Sequence, residues 1–223
     1  MTELRHDGTR PSSAERGRAR TVLNRLLRRY PEMGTALDYR TPWELLVVTV
    51  LSAQTTDEMV NKVSPRLFET YPAPPDLAGA KVADVEAIVF STGFYRQKAA
   101  AIVALAADLV DRFGGVVPQT LEELVELKGV GRKTASVVLA EAWGYPAIAV
   151  DTHVKRVAGR LGLTSATDPV KVEQDLKALY PRQRWSELSM RLIQFGRDVC
   201  DARRPACSEC ELDGLCPWPD KPE

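Results

Sequence analysis

Leu127-Lys128-Gly129-Val130-Gly131-Arg132-Lys133-Thr134-Ala135 lies between two segments whose apolar residues recur at spacings of three and four. That spacing puts the apolar residues of each segment on one helical face. The stretch therefore reads as a tight corner joining two helices, a hairpin unit over about 120–143. Two alternating glycines permit a sharp turn and close backbone approach to a ligand. The second helix directs its free N–H groups at that turn, which suits an anion, and a DNA phosphate is the natural candidate. A plain structural corner uses the same residues, so a functional reading needs further signals.

Working outward, the helical pattern continues almost everywhere and no long window alternates at period two. Thr41-Pro42-Trp43-Glu44 combines an N-cap threonine, a first-turn proline and a capping-box glutamate. Thr55 with Glu58 and Thr120 with Glu123 repeat the capping-box spacing, and Asp168-Pro169 is another cap followed by proline. Stops fall at Tyr71-Pro72, Gly114-Gly115 and Gly144 before Tyr145-Pro146. These signals predict an all-α fold of roughly nine or ten helices. Pro72, Pro74 and Pro75 are expected to form a loop, and residues 1–13 a flexible N-terminal tail.

Formal net charge is +0, so any attraction for nucleic acid must come from local clustering. The longest apolar runs, Ala99 to Ala107 and Leu45 to Val48, are too short to span a bilayer. The first residues lack the apolar core of a signal peptide. A cytoplasmic protein without membrane association is expected, in a compartment where thiols stay reduced.

Against that background, Cys200, Cys207, Cys210 and Cys216 stand out as the only cysteines, with intervals of six, two and five residues between them. Four thiolates so close can wrap one centre, either a tetrahedral zinc or an iron–sulfur cubane. Only Cys207 and Cys210 form a short knuckle, and the wider gaps favour the larger object over zinc. Two disulfides are disfavoured by the compartment. The loop after Cys200 carries Arg203 and Arg204, either a phosphate-contacting pair or ordinary solvated charges.

Lys133 falls in the first turn of the helix after the hairpin. The positive end of a helix dipole disfavours a second positive charge, which favours the neutral amine; partial burial would act the same way. A neutral lysine amine is a nucleophile, although an ordinary exposed lysine is the commoner occupant of such a position. Asp151 follows in Ile148-Ala149-Val150-Asp151-Thr152-His153, just before a helix expected over Val154 to Leu161. It reads as an N-cap, and a capped carboxylate stays ionised, able to take a proton or stabilise developing positive charge. His153 beside it reads as structural.

The hairpin, Asp151 and the four cysteines, in this order and at these separations, resemble the endonuclease III family of helix–hairpin–helix DNA glycosylases. Leu51-Ser52-Ala53-Gln54-Thr55-Thr56-Asp57 and Ser91-Thr92-Gly93-Phe94-Tyr95 are similar to that family's DNA-facing loops. The resemblance covers about Ser13 to Pro217. It implies two lobes with a DNA cleft between them: a six-helix barrel over 34–145, and a discontinuous four-helix iron–sulfur lobe of 14–33 plus 146–223. It further implies a [4Fe-4S] cluster on the four cysteines, structural or redox-sensing. The DNA-binding residues it implies are Gln54 filling the space of a flipped nucleotide, Phe94 as an apolar wedge where relatives often carry leucine, and Gly129, Val130, Gly131 and Arg132 at the backbone phosphate.

By that resemblance Lys133 and Asp151 would be the catalytic pair of a monomeric glycosylase and abasic-site lyase. Its expected substrate is double-stranded DNA with damaged, oxidised pyrimidines or abasic sites, cut 3′ to the lesion by β-elimination. The enzyme would be nucleoid-associated if bacterial. Lys128 stands where many relatives have proline, which bears on the stiffness of the turn. Two rivals remain. A monofunctional mismatch or uracil glycosylase would lack the lysine, and its adenine branch would carry a carboxylate where Val47-Val48-Thr49-Val50 stands. A non-catalytic DNA-binding module has no use for a Lys133–Asp151 pair.

Overall fold

The computed structural model describes residues 3–222. Its α-helices are α1 (Ser13–Arg29), α2 (Pro42–Leu51), α3 (Asp57–Thr70), α4 (Pro74–Ala78), α5 (Val82–Val89), α6 (Tyr95–Phe113), α7 (Leu121–Glu126), α8 (Arg132–Trp143), α9 (Thr152–Arg160), α10 (Pro169–Leu179) and α11 (Trp185–Asp198). Four short 3-10 turns complete the regular structure, and the described residues contain no strand. The fold is all-α, with eleven helices among the described residues where the sequence signals imply nine or ten. The addition is α4, in the proline stretch expected to be a loop. Pro74 and Pro75 occupy its first positions, where φ is already helical and no N–H is needed. The Asp76 carboxylate accepts the Ala73 N–H at 2.9 Å and closes the turn.

The chain divides into two compact units, Thr35–Gly144 and Met1–Gly34 with Tyr145–Glu223. In Thr35–Gly144 the organising element is α2, in which every residue from Trp43 to Leu51 is buried. A helix apolar on all sides belongs at the centre of a core, and α2 packs against α3, α6 and α8. Leu45, Leu46, Leu51, Ile102, Leu105 and Leu124 are fully enclosed there. Burying each of such side chains contributes roughly 1.5–3 kcal/mol.

Two helix starts depart from expectation. Thr41 caps α2 by accepting the Glu44 N–H at 3.1 Å, but the Glu44 carboxylate does not return to Thr41. It accepts the Arg40 N–H at 2.7 Å and pairs with the Arg40 guanidinium at 2.6 Å. Glu44 is buried, and a buried carboxylate is held where a cation can reach it. Helix α3 is capped by Thr56, which accepts the Met59 N–H at 3.3 Å. Thr55 instead closes the preceding turn through its N–H to the Ser52 carbonyl at 3.2 Å.

In the other unit, α1 starts with a full capping box between Ser12 and Glu15. The residues before it, expected as a flexible tail, are docked. The His6 N–H donates to Asp175 Oδ1 at 3.0 Å and its ring Nδ1 lies 2.8 Å from the same oxygen. The Thr164 hydroxyl donates to Oδ2 at 2.6 Å. Asp175 is buried in α10, and a buried carboxylate without partners is costly; the segment around His6 supplies two of them. Residues 1 and 2 of the expected tail lie outside the described residues.

Helices α9 and α11 pack closely through Gly196. A Cβ built there would lie 2.9 Å from His153 Cβ and 3.2 Å from Val157 Cγ2. Gly196→Ala should therefore push the helices apart and destabilise the protein by about 1–3 kcal/mol, read as a lower urea midpoint. An unchanged midpoint would mean the pair has slack. This packing gives His153 a structural role, as does its Nδ1 at 3.0 Å from Arg156 Nη2.

Candidate active site and cysteine centre

In Thr35–Gly144 the hairpin runs from α7 to α8. Thr120 caps α7 through the Glu123 N–H at 3.3 Å. Leu127 leaves the helix in an extended conformation, φ −71° and ψ 140°. Gly129 has φ +79°, the left-handed region that favours glycine. Val130 is buried and donates its N–H to the Leu127 carbonyl at 3.1 Å, which fastens the turn to the core. Gly131 is the N-cap of α8 and supplies no side-chain acceptor. Beyond its two chain neighbours, no atom of the described residues lies within 4 Å of where a Gly131 Cβ would stand. The first N–H groups of α8 thus lack a side-chain cap beneath open space, the arrangement that accepts an anion.

Arg132 and Lys133 open α8, both exposed. The Lys133 side chain forms no hydrogen bond or ion pair among the described residues. The partial burial considered for it in the sequence is absent.

Gln54 and Phe94 are the only non-glycine residues with positive φ among those described, at 54° and 47°. Both are exposed, Phe94 at 61%. Neither conformation is demanded by burial of the side chain. Strain of this kind, roughly 1–3 kcal/mol each, concentrates at ligand-gripping loops. The Phe94 loop is braced from below by residues that periodicity did not single out. Lys98 is buried and its Nζ donates to the Thr92 carbonyl at 2.7 Å; burial pushes its amine pKa down. The Thr92 hydroxyl donates to the Val89 carbonyl at 2.8 Å. The available signal was a lysine immediately before the apolar run Ala99–Ala107.

In the other unit, Asp151 caps α9, which starts two residues earlier than expected, at Thr152. Its Oδ1 accepts the Val154 N–H at 2.8 Å, leaving Oδ2 for other work. The four cysteines are free thiols and line one cavity, together with Arg160, Phe195 and Trp218. Burial pushes the Cys207 and Cys210 thiols up, and neighbouring cysteines push in the same direction.

Two arginines of α9, one helical turn apart, hold the segment that carries these thiols. Arg156 donates to the Cys200 carbonyl at 3.0 Å. Arg160 donates to Cys200 Sγ at 3.3 Å and to the carbonyls of Asp201 and Ala202 at 2.7 and 3.0 Å, and stacks on the Trp218 ring. Their i, i+4 spacing was visible in the sequence; their target was not. Arg203 and Arg204 lie in a turn whose N–H groups both donate to Asp201 Oδ1 at 2.8 Å. Their side chains are exposed.

These features define a class. Residues 47–182 match the HhH-GPD superfamily of base excision DNA repair proteins. The chain is 50% identical over 209 residues to the endonuclease III of Synechocystis sp., covering 93% of this chain and 95% of that one. It is 36% identical over 200 residues to the endonuclease III of Escherichia coli (strain K12), covering 90% and 95%. Among solved structures it is similar to a trapped endonuclease III–DNA covalent intermediate, an estranged-adenine complex. That match has a TM-score of 0.86 and 44% identity, and covers 91% of this chain and 96% of the other. The chain belongs to the endonuclease III family and is a base excision repair enzyme, a DNA glycosylase with abasic-site lyase activity. No helix among the described residues is long and apolar enough to cross a membrane.

Proposed function

We propose that Lys133 performs both chemical steps of this enzyme on oxidised pyrimidines in double-stranded DNA. The observation that carries this reading is an exposed, unpaired amine in the first turn of α8, directly behind an uncapped hairpin suited to a phosphate. DNA docks its backbone on the N–H groups of Gly129, Gly131 and the first turn of α8, with Val130 fixing the turn and Arg132 beside it. Phe94 wedges the stack and Gln54 fills the space left by the extruded nucleotide, at an unstacking cost of roughly a few kcal/mol. Their strained, exposed backbone positions support that use.

The neutral Lys133 Nζ attacks the sugar C1′, and the C1′–N bond breaks as the base leaves with its electron pair. Asp151, with one oxygen fixed by its cap, takes the proton released by the amine and stabilises positive charge at the sugar. The nitrogen lone pair then breaks the C1′–O4′ bond, O4′ takes the proton held by Asp151, and a protonated C1′=Nζ imine remains. The imine acidifies C2′–H. Removal of that proton forms a C1′–C2′ enamine, and its electron pair expels the 3′ phosphate as the C3′–O bond breaks.

The two compact units then correspond to a barrel domain and an iron–sulfur domain, in a monomer. Cys200, Cys207, Cys210 and Cys216 would hold a [4Fe-4S] cluster. The fit is supported by four free thiols lining one cavity. Their intervals of six, two and five residues suit a multi-atom centre better than one zinc. Such a centre would tie the four thiolates together as a staple. Arg203 and Arg204, on the loop it would pin, reach DNA phosphate. The enzyme works on chromosomal DNA in the cytoplasm.

A cleavage panel tests the substrate class. Thymine glycol and dihydrouracil duplexes should be cut at least about tenfold faster than uracil or mismatch duplexes, with a bare abasic site also cleaved. Equal or faster removal of uracil or mismatched bases would overturn the assignment to oxidised pyrimidines.

A further inference from the structure

The residue before the first hairpin glycine is Lys128, whose N–H a proline would lack. That N–H donates to Asp108 Oδ2 at 3.1 Å. Asp108 lies on α6, two turns after Ala101, whose Cβ would lie 3.6 Å from a Cβ built at Gly129. A separation of seven residues puts both on one helical face, so α6 provides the bed on which the hairpin rests. The same carboxylate lies 3.7 Å from Arg112 Nη1, one turn further along. Arg112 in turn donates to the Glu126 carbonyl at 3.2 Å and pairs with the Glu126 carboxylate. The end of α7 and the entry to the turn are thereby tied to α6 at three points.

We infer that Asp108 is a positioning residue for the DNA-gripping hairpin, stiffening the turn through its hydrogen bond to the Lys128 N–H; this rests on the reading of the hairpin as the phosphate site. An Oδ2–H–N bond to an ionised acceptor is stronger than a neutral one. It holds Lys128 in register, so that the N–H groups of Gly129, Gly131 and the first turn of α8 present a single anion-binding arrangement. Without it the turn samples more states, and DNA must select the competent one.

The test is a double-mutant cycle between Asp108→Ala and Lys128→Pro, read as Kd for a duplex carrying a tetrahydrofuran abasic analogue, with thermal midpoints measured alongside. Leu127 already has the extended ψ of 140° that a following proline requires. Asp108→Ala alone should weaken binding about tenfold, and Asp108→Asn, which keeps an acceptor oxygen, by much less. In the Lys128→Pro background, where no N–H remains, Asp108→Ala should cost less than about twofold. A merely structural role would lower affinity and midpoint alike in both backgrounds. Equal losses in both backgrounds, or no loss with Asp108→Ala alone, would overturn the inference. Gly131→Val separates the two readings. If it leaves affinity unchanged, the hairpin is not the phosphate site; if it weakens binding while the cycle is additive, only the role of Asp108 fails.

Discussion

Lys133→Ala abolishes borohydride trapping on abasic-site DNA and lowers strand cleavage by about 10³-fold or more, while the protein remains folded. The size follows from losing the attacking atom, which no neighbouring residue of α8 replaces. The folding half of the expectation follows from position. Lys133 is exposed and has no partner among the described residues, and truncating such a side chain changes stability by no more than about 0.5 kcal/mol. Alanine is the better helix former, and removing a cation from a helix N-terminus is favourable, so the thermal midpoint should hold or rise slightly. Affinity for an uncleavable abasic analogue should change by less than about threefold, because the backbone N–H groups of the hairpin remain. Wild-type trapping by Lys133→Ala would show that another amine is the nucleophile.

The second large effect is expected at the cysteines. From residue 201 to 222, Leu212 is the only buried residue, and the regular structure is two 3-10 turns of three residues. A segment so poor in buried apolar surface needs a staple. Cys210→Ser should remove the broad absorbance near ~400 nm that accompanies a cluster and open residues 200–222 to limited proteolysis, with a global loss of several kcal/mol. The loss should spread beyond the segment, because Arg156 and Arg160 tie it to α9, and α9 carries Asp151 at its start. A purified wild-type protein that is colourless and contains stoichiometric zinc would refute the iron–sulfur assignment. A Cys210→Ser variant as protease-resistant as wild type would show that the segment needs no staple.

Much of this is legible in the sequence. The hairpin was legible because the choice of glycine, the fastening of Val130 and the cap of α8 are decided within a few residues. Asp151 as a cap, and the stops at Gly114 and Gly144, are local in the same sense, and both glycines have the left-handed φ expected of them. Misreadings came where two local solutions compete. Thr55 and Thr56 offer equivalent hydroxyls, and only the turn at Ser52 decides which one caps α3. Pro74-Pro75 suits a loop or a helix start, and Asp76 selects the latter.

By itself, the sequence determined an all-α chain, its glycine hairpin with a lysine one residue into the next helix, a capped aspartate and a cysteine-only centre, because periodicity, capping and ligand spacing act over a few positions. Only the tertiary structure decided that Glu44 answers to Arg40, that Asp175 captures His6, that Asp108 braces Lys128, that Arg160 guards Cys200, and that Gln54 and Phe94 carry the strained backbone. Most of these partners lie 20–169 residues apart. A buried or half-buried charge takes whichever donor the packed helices bring to it, and that choice is made by packing rather than by neighbours in the chain.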